Sequence, residues 1–332
     1  MVEAARKLGR ICQGGMQYRS SGPNAEAVEY MRAGKLGEVT LGRSIVYGAR
    51  GSIGGPGQFE IPAHVDYNLF AGPAPIRSLT RPKLHYDWHW FWDTGNGELG
   101  NNNVHSLDVL RWGLGLSGLP KSVVSFGGRF GYTDAAETPN TQVVVLDFGS
   151  KTIITETRGL KTEPFSAQAK GGAIFYGTKG MIAGSSVFDP EGNLVHTFDR
   201  KSENHFANFL KAVRSRKVSD LNADIEEGHQ SAALCHIGNI SYRLGKPARA
   251  AEVKERLAHL KLKPEVMETF ERTERHLADN SVDLAKAKMM LGASLEIDAS
   301  RERFVKNPDA DSLLGREYRA PFTLPGEREF SS

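Results

Sequence analysis

The spacing of hydrophobic positions changes several times along the chain, and each change marks an element. Residues 2–9, VEAARKLG, read as a short helix closed by Gly9, and residues 10–14 as a short strand. A helix running at once into a strand is the tail of an alternating unit rather than its start. Gly22-Pro23 opens a second helix, with proline suited to a first turn. Ala27, Val28, Met31 and Leu36 supply its apolar spacing, and Gly34 and Gly37 bracket its end. From Glu38 the period shortens, and VTLGRSIVYG reads as a strand.

Residues 49–84 are rich in glycine and proline, a connection long enough to be a functional or covering loop. The aromatic run HYDWHWFWD follows, then a helix over 98–112. Six strands come next: SVVSFGGRF, TQVVVLDFG, KTIITETRG, GGAIFYG, GMIAGSS and NLVHTFD, with Gly149-Ser150 as a hairpin turn. SENHFANFLKAVRSRK and ADIEEGHQSAALCHIGNISYRLGK read as helices. Residues 250–292 read as helical and charged, and the last forty as an extended tail. Consecutive strands with short turns imply an open, predominantly antiparallel sheet flanked by helices, in the α/β (α+β) class.

The composition narrows the function classes. The chain has 332 residues, 39% apolar and 24% charged, and a net charge of +3. That is ordinary for a globular protein with a sizeable core. The basic residues are dispersed, and KERLAHLKLK is the densest stretch, so no nucleic-acid footprint is expected. No apolar run approaches a membrane span. The N-terminus lacks the character of a signal peptide, which makes a cytoplasmic location the default. Cys12 and Cys235 form no metal or disulfide pattern and read as buried free thiols.

GNGELG at 95–100 is a literal G-x-G-x-x-G. A dinucleotide fingerprint needs a buried apolar strand before it, a helix after it and an acidic residue roughly 20 positions on. The preceding segment is WHWFWDT, and near position 115 the chain reads GLGLSGLP with no acid. The motif fails on context. GARGSIGGPG lacks the lysine and hydroxyl of a phosphate loop. If 98–112 is one helix, Asn101, His105, Asp108 and Trp112 share a face, with Val104, Leu107 and Leu110 beside it. Solvated faces carry Lys and Glu, so a polar stripe flanking an apolar one reads as a helix bordering a pocket.

HYDWHWFWDTGNGELGNNNVHSLDVLRWGLG resembles the signature of the Gfo/Idh/MocA oxidoreductases. EAVEYMRAGKLGEV, FYGTKGMI, NADIEEGHQSAALCHIGNISYRLGK and the tail GREYRAPFTLP agree with it. The resemblance covers nearly all of the chain. It implies a Rossmann domain holding NAD or NADP, followed by an open-sheet domain presenting a sugar. By that resemblance residues 1–35 are a remnant of the dinucleotide-binding domain. Residues 36–250 are the substrate and oligomerisation domain, and 251–332 a helical extension and tail. The chain reads as beginning after the family's E-K-P motif, so its glycine fingerprint, ribose-binding acid and catalytic lysine have no counterpart. NAD binding by this chain alone is not expected, and no metal is expected. His85 and His89, four apart, would share a metal only on a helix, and WHWFW reads as extended.

The family's D-x-G-x-H-x-x-D pattern falls on Asn101, Asn103, His105 and Asp108. Asn101 can hydrogen-bond but cannot accept a proton. His105 is the acid/base candidate, with Asp108 to orient it. Trp88, His89, Trp92 and Asp93 are candidates for the sugar surface, since all four tryptophans lie between 88 and 112; core packing explains aromatics equally well. Arg19 and, weakly, Gln17 follow the strand that faces the nicotinamide in the family, and Arg158 is a candidate for reaching the sugar from the sheet. His229 and His236 read as packing residues.

Three functions stay open. The first is a sugar oxidoreductase whose cofactor half is absent here or supplied by a separate chain. The second is a glycoside hydrolase or lyase needing no added NAD, with His105 and Asp108, or a carboxylate such as Asp87, Asp93 or Glu98, for the acid/base work. The third is a sugar-binding or assembly module. A homo-oligomer through the sheet is implied by the resemblance, and export to the periplasm is left open by relatives that carry a leader.

Overall fold

The computed structural model describes residues 1–326. Helices α1 (Val2–Lys7) and α2 (Gly22–Arg32) precede strand β1 (Val39–Tyr47). The short α3 (Tyr67–Ala71) lies in the long connection to α4 (Val104–Gly113). Strands β2 (Ser122–Gly128), β3 (Thr141–Asp147), β4 (Thr152–Arg158) and β5 (Gly172–Gly177) follow. They are continued by β6 (Gly180–Ala183), β7 (Ser186–Phe188) and β8 (Leu194–Thr197). Next come α5 (His205–Ser215), α6 (Ile225–Arg243), β9 (Lys246–Ala248), α7 (Ala250–His259) and α8 (Pro264–Asp279). The last elements are β10 (Met289–Leu291), β11 (Leu295–Asp298), β12 (Arg303–Phe304) and α9 (Pro308–Ser312).

One sheet organises the fold, in the order β12-β11-β2-β3-β4-β1-β5-β6-β7-β8, with β10 joining β2 to β9. Only β1 and β4 run parallel among these pairs. The α/β class with a mostly antiparallel sheet flanked by helices is therefore as predicted. The hairpin from β3 to β4 is made at Gly149, whose φ of +92° suits glycine. Its N–H donates to Asp147 Oδ1 at 2.7 Å.

Period-2 alternation divides the sheet into two covered faces. Val144, Leu146 and Ile153 join Leu107, Leu110, Leu234 and Ile237 in a core under α4 and α6. Val143, Val145 and Ile154 point the other way, into a core with Val253, Val266 and Phe270 of α7 and α8. All seven residues of β4 are buried, because it lies mid-sheet between helices on both sides.

Three expectations need correction. The strand predicted at 10–14 is a single bridge between Gln13 and Asp224. That segment spends its backbone bonds on the start of α6: Gly14 N–H donates to Ala223 O, and Ile225 N–H to Cys12 O. The helix predicted to reach 292 ends at Asp279, and 289–291 pairs with β2 and β9 as a strand. The tail predicted as extended contains β11, β12 and α9, the last capped by Asn307 accepting from Ala310 N–H. The tail's final residues, 327–332, lie outside the described residues.

Candidate active site around His105

The segment entering α4 is wider than an α-helix. Leu99–Asn103 forms a π-helical turn that runs directly into α4. A π turn leaves carbonyls off the regular ladder, and such turns recur at functional sites. Here the Cys235 thiol donates to Leu99 O at 3.3 Å. Asn103, wholly buried, pins the turn to the sheet: its Nδ2 donates to Thr157 Oγ1 at 2.7 Å, and its Oδ1 accepts from Ser44 Oγ at 2.7 Å. The uniform α-helix predicted over 98–112 is corrected accordingly, and the predicted single stripe separates into residues with different partners.

Asn101 donates to Glu98 Oε2 at 3.4 Å. Glu98 is buried and also accepts from Asn102 and from Arg50 Nη2. Asn101 thus belongs to a carboxylate–guanidinium cluster one turn before His105.

His105 is half-buried, and its Nδ1 is buried without a hydrogen-bond partner. Its ring lies against Tyr18, with centroids 5.4 Å apart. Burial lowers its pKa, and the charge of Asp108 opposes that in part. The ring is therefore neutral at pH 7, as a proton acceptor must be. Tyr18 in turn lines a cavity of about 270 Å³ with Ser21 and Asn24, Ser106 and Val109 of α4, and Ala173 of β5. Gly171, Gly172 and Gly184 keep that cavity open by having no side chains to fill it.

Asp108 does not hydrogen-bond His105, which corrects the expected orienting role. Its Oδ2 accepts from Arg19 Nε at 2.8 Å and its Oδ1 from Ser231 Oγ at 2.7 Å. Arg19 Nη2 also donates to Glu227 at 3.0 Å, and Arg111 donates to both Glu227 and Ser231. Two arginines and two carboxylates thus balance one another where α4, α6 and the 17–20 turn meet. Arg19 is consumed here rather than presented to a ligand. Gln17, two residues before it, is exposed.

The aromatic run divides in the same way. Asp87–Trp90 is a 3-10 turn, not the extended segment expected. His89, Trp90 and Phe91 are core, and Trp88 is 43% exposed. Trp92 packs on Tyr242 and Arg243 of α6. Asp93 pairs with Arg77 at 2.5 Å. Among the described residues no hydrogen bond or ring contact joins these four candidates to His105. Arg158 is corrected more sharply. It shares strand parity with Ile154, so it points to the α8 face, where it donates to Glu156 and lies over Tyr47. Of the three carboxylates proposed for hydrolysis, Glu98 is committed to Arg50 and Asp93 to Arg77, and Asp87 is buried.

The glycines of GNGELG face the chain itself. A Cβ on Gly95 would meet the His89 backbone, on Gly97 the Thr138 side chain, and on Gly100 the Asn96 side chain. Nothing is left to cradle a pyrophosphate, so this segment does not fit a dinucleotide. Among the described residues, no group of three His, Cys, Asp or Glu side chains comes together to hold a metal ion. No helix among them is long and apolar enough to cross a membrane. Sequence reasoning missed Tyr18, Asn24 and Ser106. Tyr18 stands between the chosen Gln17 and Arg19, and Ser106 follows His105, but only the fold shows that they line one cavity.

The mostly antiparallel sheet with helices on both faces thus carries a histidine at a π-to-α junction beside a cavity-lining tyrosine. A family model described as "Oxidoreductase family, C-terminal alpha/beta domain" matches residues 56–277, and the chain belongs to that Gfo/Idh/MocA family. Among solved structures it is similar to the WlbA dehydrogenase from Bordetella pertussis in complex with NADH and UDP-GlcNAcA. That likeness has 17% identity and a TM-score of 0.45, covering 70% of this chain and 61% of that one. An NAD-binding protein from Listeria innocua is similar at 17% identity and a TM-score of 0.46, with coverages of 71% and 62%. An oxidoreductase from Thermotoga maritima is similar at 15% identity and a TM-score of 0.44, with coverages of 68% and 58%. The chain spans about three fifths of the length of these structures. No curated protein matches the sequence.

Proposed function

We propose that this chain is the substrate-binding part of an oxidoreductase acting on a sugar or sugar derivative, with His105 as proton acceptor. The observation that carries the proposal is the unpartnered Nδ1 of a neutral His105, whose ring lies tilted against a tyrosine that lines an open cavity. Oxidising a carbinol removes a proton from its hydroxyl, and a positioned imidazole is suited to take it. Tyr18 would hold the ring in place, and Ser21, Asn24 and Ser106 offer hydroxyls and an amide to a polyhydroxylated ligand. Asp108 and Arg19 would fix the helix that carries the histidine.

The family suggests NAD or NADP as the electron acceptor. Because GNGELG does not fit a dinucleotide, the proposal places the body of that cofactor on protein outside the described residues, such as a separate chain. Association of copies through the sheet belongs to the same proposal. The outer strand β8 supports it, being exposed along all four residues.

The test is turnover of a sugar panel with NAD and NADP, alone and with a cofactor-binding partner, in the wild type and His105→Gln. We expect substitution to reduce turnover by at least about 100-fold, the scale of general-base catalysis. The wild-type rate should fall only below pH 6.5, since burial lowers the His105 pKa. Unchanged turnover in His105→Gln would reject the assignment. Cleavage of aryl-glycosides without NAD would replace it with the hydrolase reading.

A further inference from the structure

The cavity beside Tyr18 is built without charge. Its volume is about 270 Å³, and none of the side chains lining it is ionised at neutral pH. The ions nearest in the fold are already balanced, Arg19 and Arg111 against Asp108 and Glu227. An ionised group brought inside would lose water and meet no opposite charge.

One part of the wall is polar and has hydrogen-bonding capacity to spare. Ser106 is 5% exposed, and its hydroxyl has no hydrogen-bond partner among the described residues. Asn24 spends its Nδ2 on Tyr18 O at 3.0 Å, which leaves Oδ1 to accept. Ser21 Oγ accepts from Asn24 N–H at 3.4 Å and keeps its own proton to donate. The other part is carbon. Phe175 of β5 and Ile182 of β6 are cross-strand partners, both buried, and Ala173 shares the strand face of Phe175. The two helices repeat the division. Asn24 and Ala27 of α2 are three apart, as are Ser106 and Val109 of α4, so in each pair the apolar member lies one turn beyond the polar one on the same face.

A sugar with a hydroxyl at every carbon would turn one of them to this carbon wall and leave it without a partner. A methyl group at that place removes apolar surface from water instead. We infer that the cavity takes an uncharged deoxy sugar, its hydroxyls against Ser21, Asn24 and Ser106 and its methyl group against Val109, Phe175 and Ile182. The inference rests on the reading of this cavity as the substrate pocket of the oxidation at His105, and it adds which class of sugar that pocket selects.

Calorimetric titration of the full chain, without NAD, tests it on matched pairs: D-fucose with D-galactose, D-quinovose with D-glucose, and L-rhamnose with L-mannose. D-glucuronate and D-galacturonate are the charged arms. We expect at least one deoxy sugar to bind about ten-fold more tightly than its parent hexose and than either acid, the scale of one stranded hydroxyl. Val109→Thr, close in size, gives the parent's extra hydroxyl a partner and should shrink that preference by about three-fold or more. Ser106→Ala should weaken both members of the pair alike. Parent hexoses binding as tightly as their deoxy partners in all three pairs, an acid binding tightest, or no binding by any of the sugars would overturn the ligand class. A preference unchanged in a folded Val109→Thr would overturn the role of the apolar wall; if that variant shows no cooperative unfolding transition, the wild-type ratios decide. Binding and turnover separate this inference from the reading beneath it. A deoxy preference together with turnover unaffected by His105→Gln would reject the proton acceptor and keep the ligand class. His105-dependent turnover of a hexose or sugar acid that binds as tightly as any deoxy sugar would do the reverse.

Discussion

Arg19 and Asp108 form an ion pair at 2.8 Å with both side chains almost wholly buried. It joins the turn at 17–20 to α4, and Ser231 extends it to α6. Removing one carboxylate from a buried pair leaves the guanidinium short of a partner, although Arg19 keeps Glu227 at 3.0 Å. Asp108→Asn should therefore lower unfolding free energy by about 2 kcal/mol or more, read from denaturant midpoints. His105→Gln, which breaks no hydrogen bond of Nδ1, should stay within about 1 kcal/mol of the wild type. If the two variants lose equal stability, the division between an anchoring aspartate and a free histidine is wrong.

Asn103 offers a second test of how the site is held. Its amide bridges Ser44 on β1 and Thr157 on β4, each at 2.7 Å and each buried. Asn103→Leu matches its size while leaving both hydroxyls without that partner. An orphaned buried polar group costs about 1–3 kcal/mol. The variant should lose about 2 kcal/mol or more, and any activity should fall further than stability explains, because the π turn carrying Asn101 and His105 is no longer fixed. A fully active variant of wild-type stability would show that the bridge is dispensable.

Which parts of this were legible beforehand follows from the range of the interactions. The antiparallel strands and the helix bearing His105 are written in local periodicity, and so could be read. The failure of GNGELG as a fingerprint was also local, since its flanks lack a strand and an acid. The partners of Asp108 were not legible, because Arg19 and Ser231 are 89 and 123 residues away in sequence. The π turn was hidden because nothing in LGNNN distinguishes a five-residue turn from an α turn; Asn103's bonds to two strands and Cys235's to Leu99 reveal it. Arg158 was misplaced because alternation tells which strand residues share a face but not which helices cover that face.

Gly95 gives the decoy reading an experimental form. A methyl group there would collide with the His89 backbone. Overpacking against backbone costs about 1–3 kcal/mol or more. Gly95→Ala should lose that much stability, measured by thermal or denaturant unfolding. It should leave the ratio of NAD-saturated to NAD-free stability unchanged. A selective loss of NAD response at wild-type stability would instead restore GNGELG as a cofactor loop.

The buried His276 sets a predicted acid limit on stability. Burial first, and then the charge of Arg158, push its pKa down to about 4, with Asp279 opposing them. Its Nε2 is buried without a partner, and Asn280 lies against its Nδ1 at 3.5 Å. In the unfolded chain a histidine titrates near ~6.5. Between those values the unfolded state holds a proton that the folded state lacks, so stability falls as pH drops from about 6.5 toward 4 and is level with respect to this group above that window. The slope from one such proton approaches about 1.4 kcal/mol per pH unit. His276→Gln removes the titration. Denaturant unfolding at pH 7, 5.5 and 4.5 should then show the wild type losing stability faster than the variant, with the gap opening only below pH 6.5. Parallel curves for the two proteins would mean that the imidazole gains its proton in the folded state as readily as in the unfolded one.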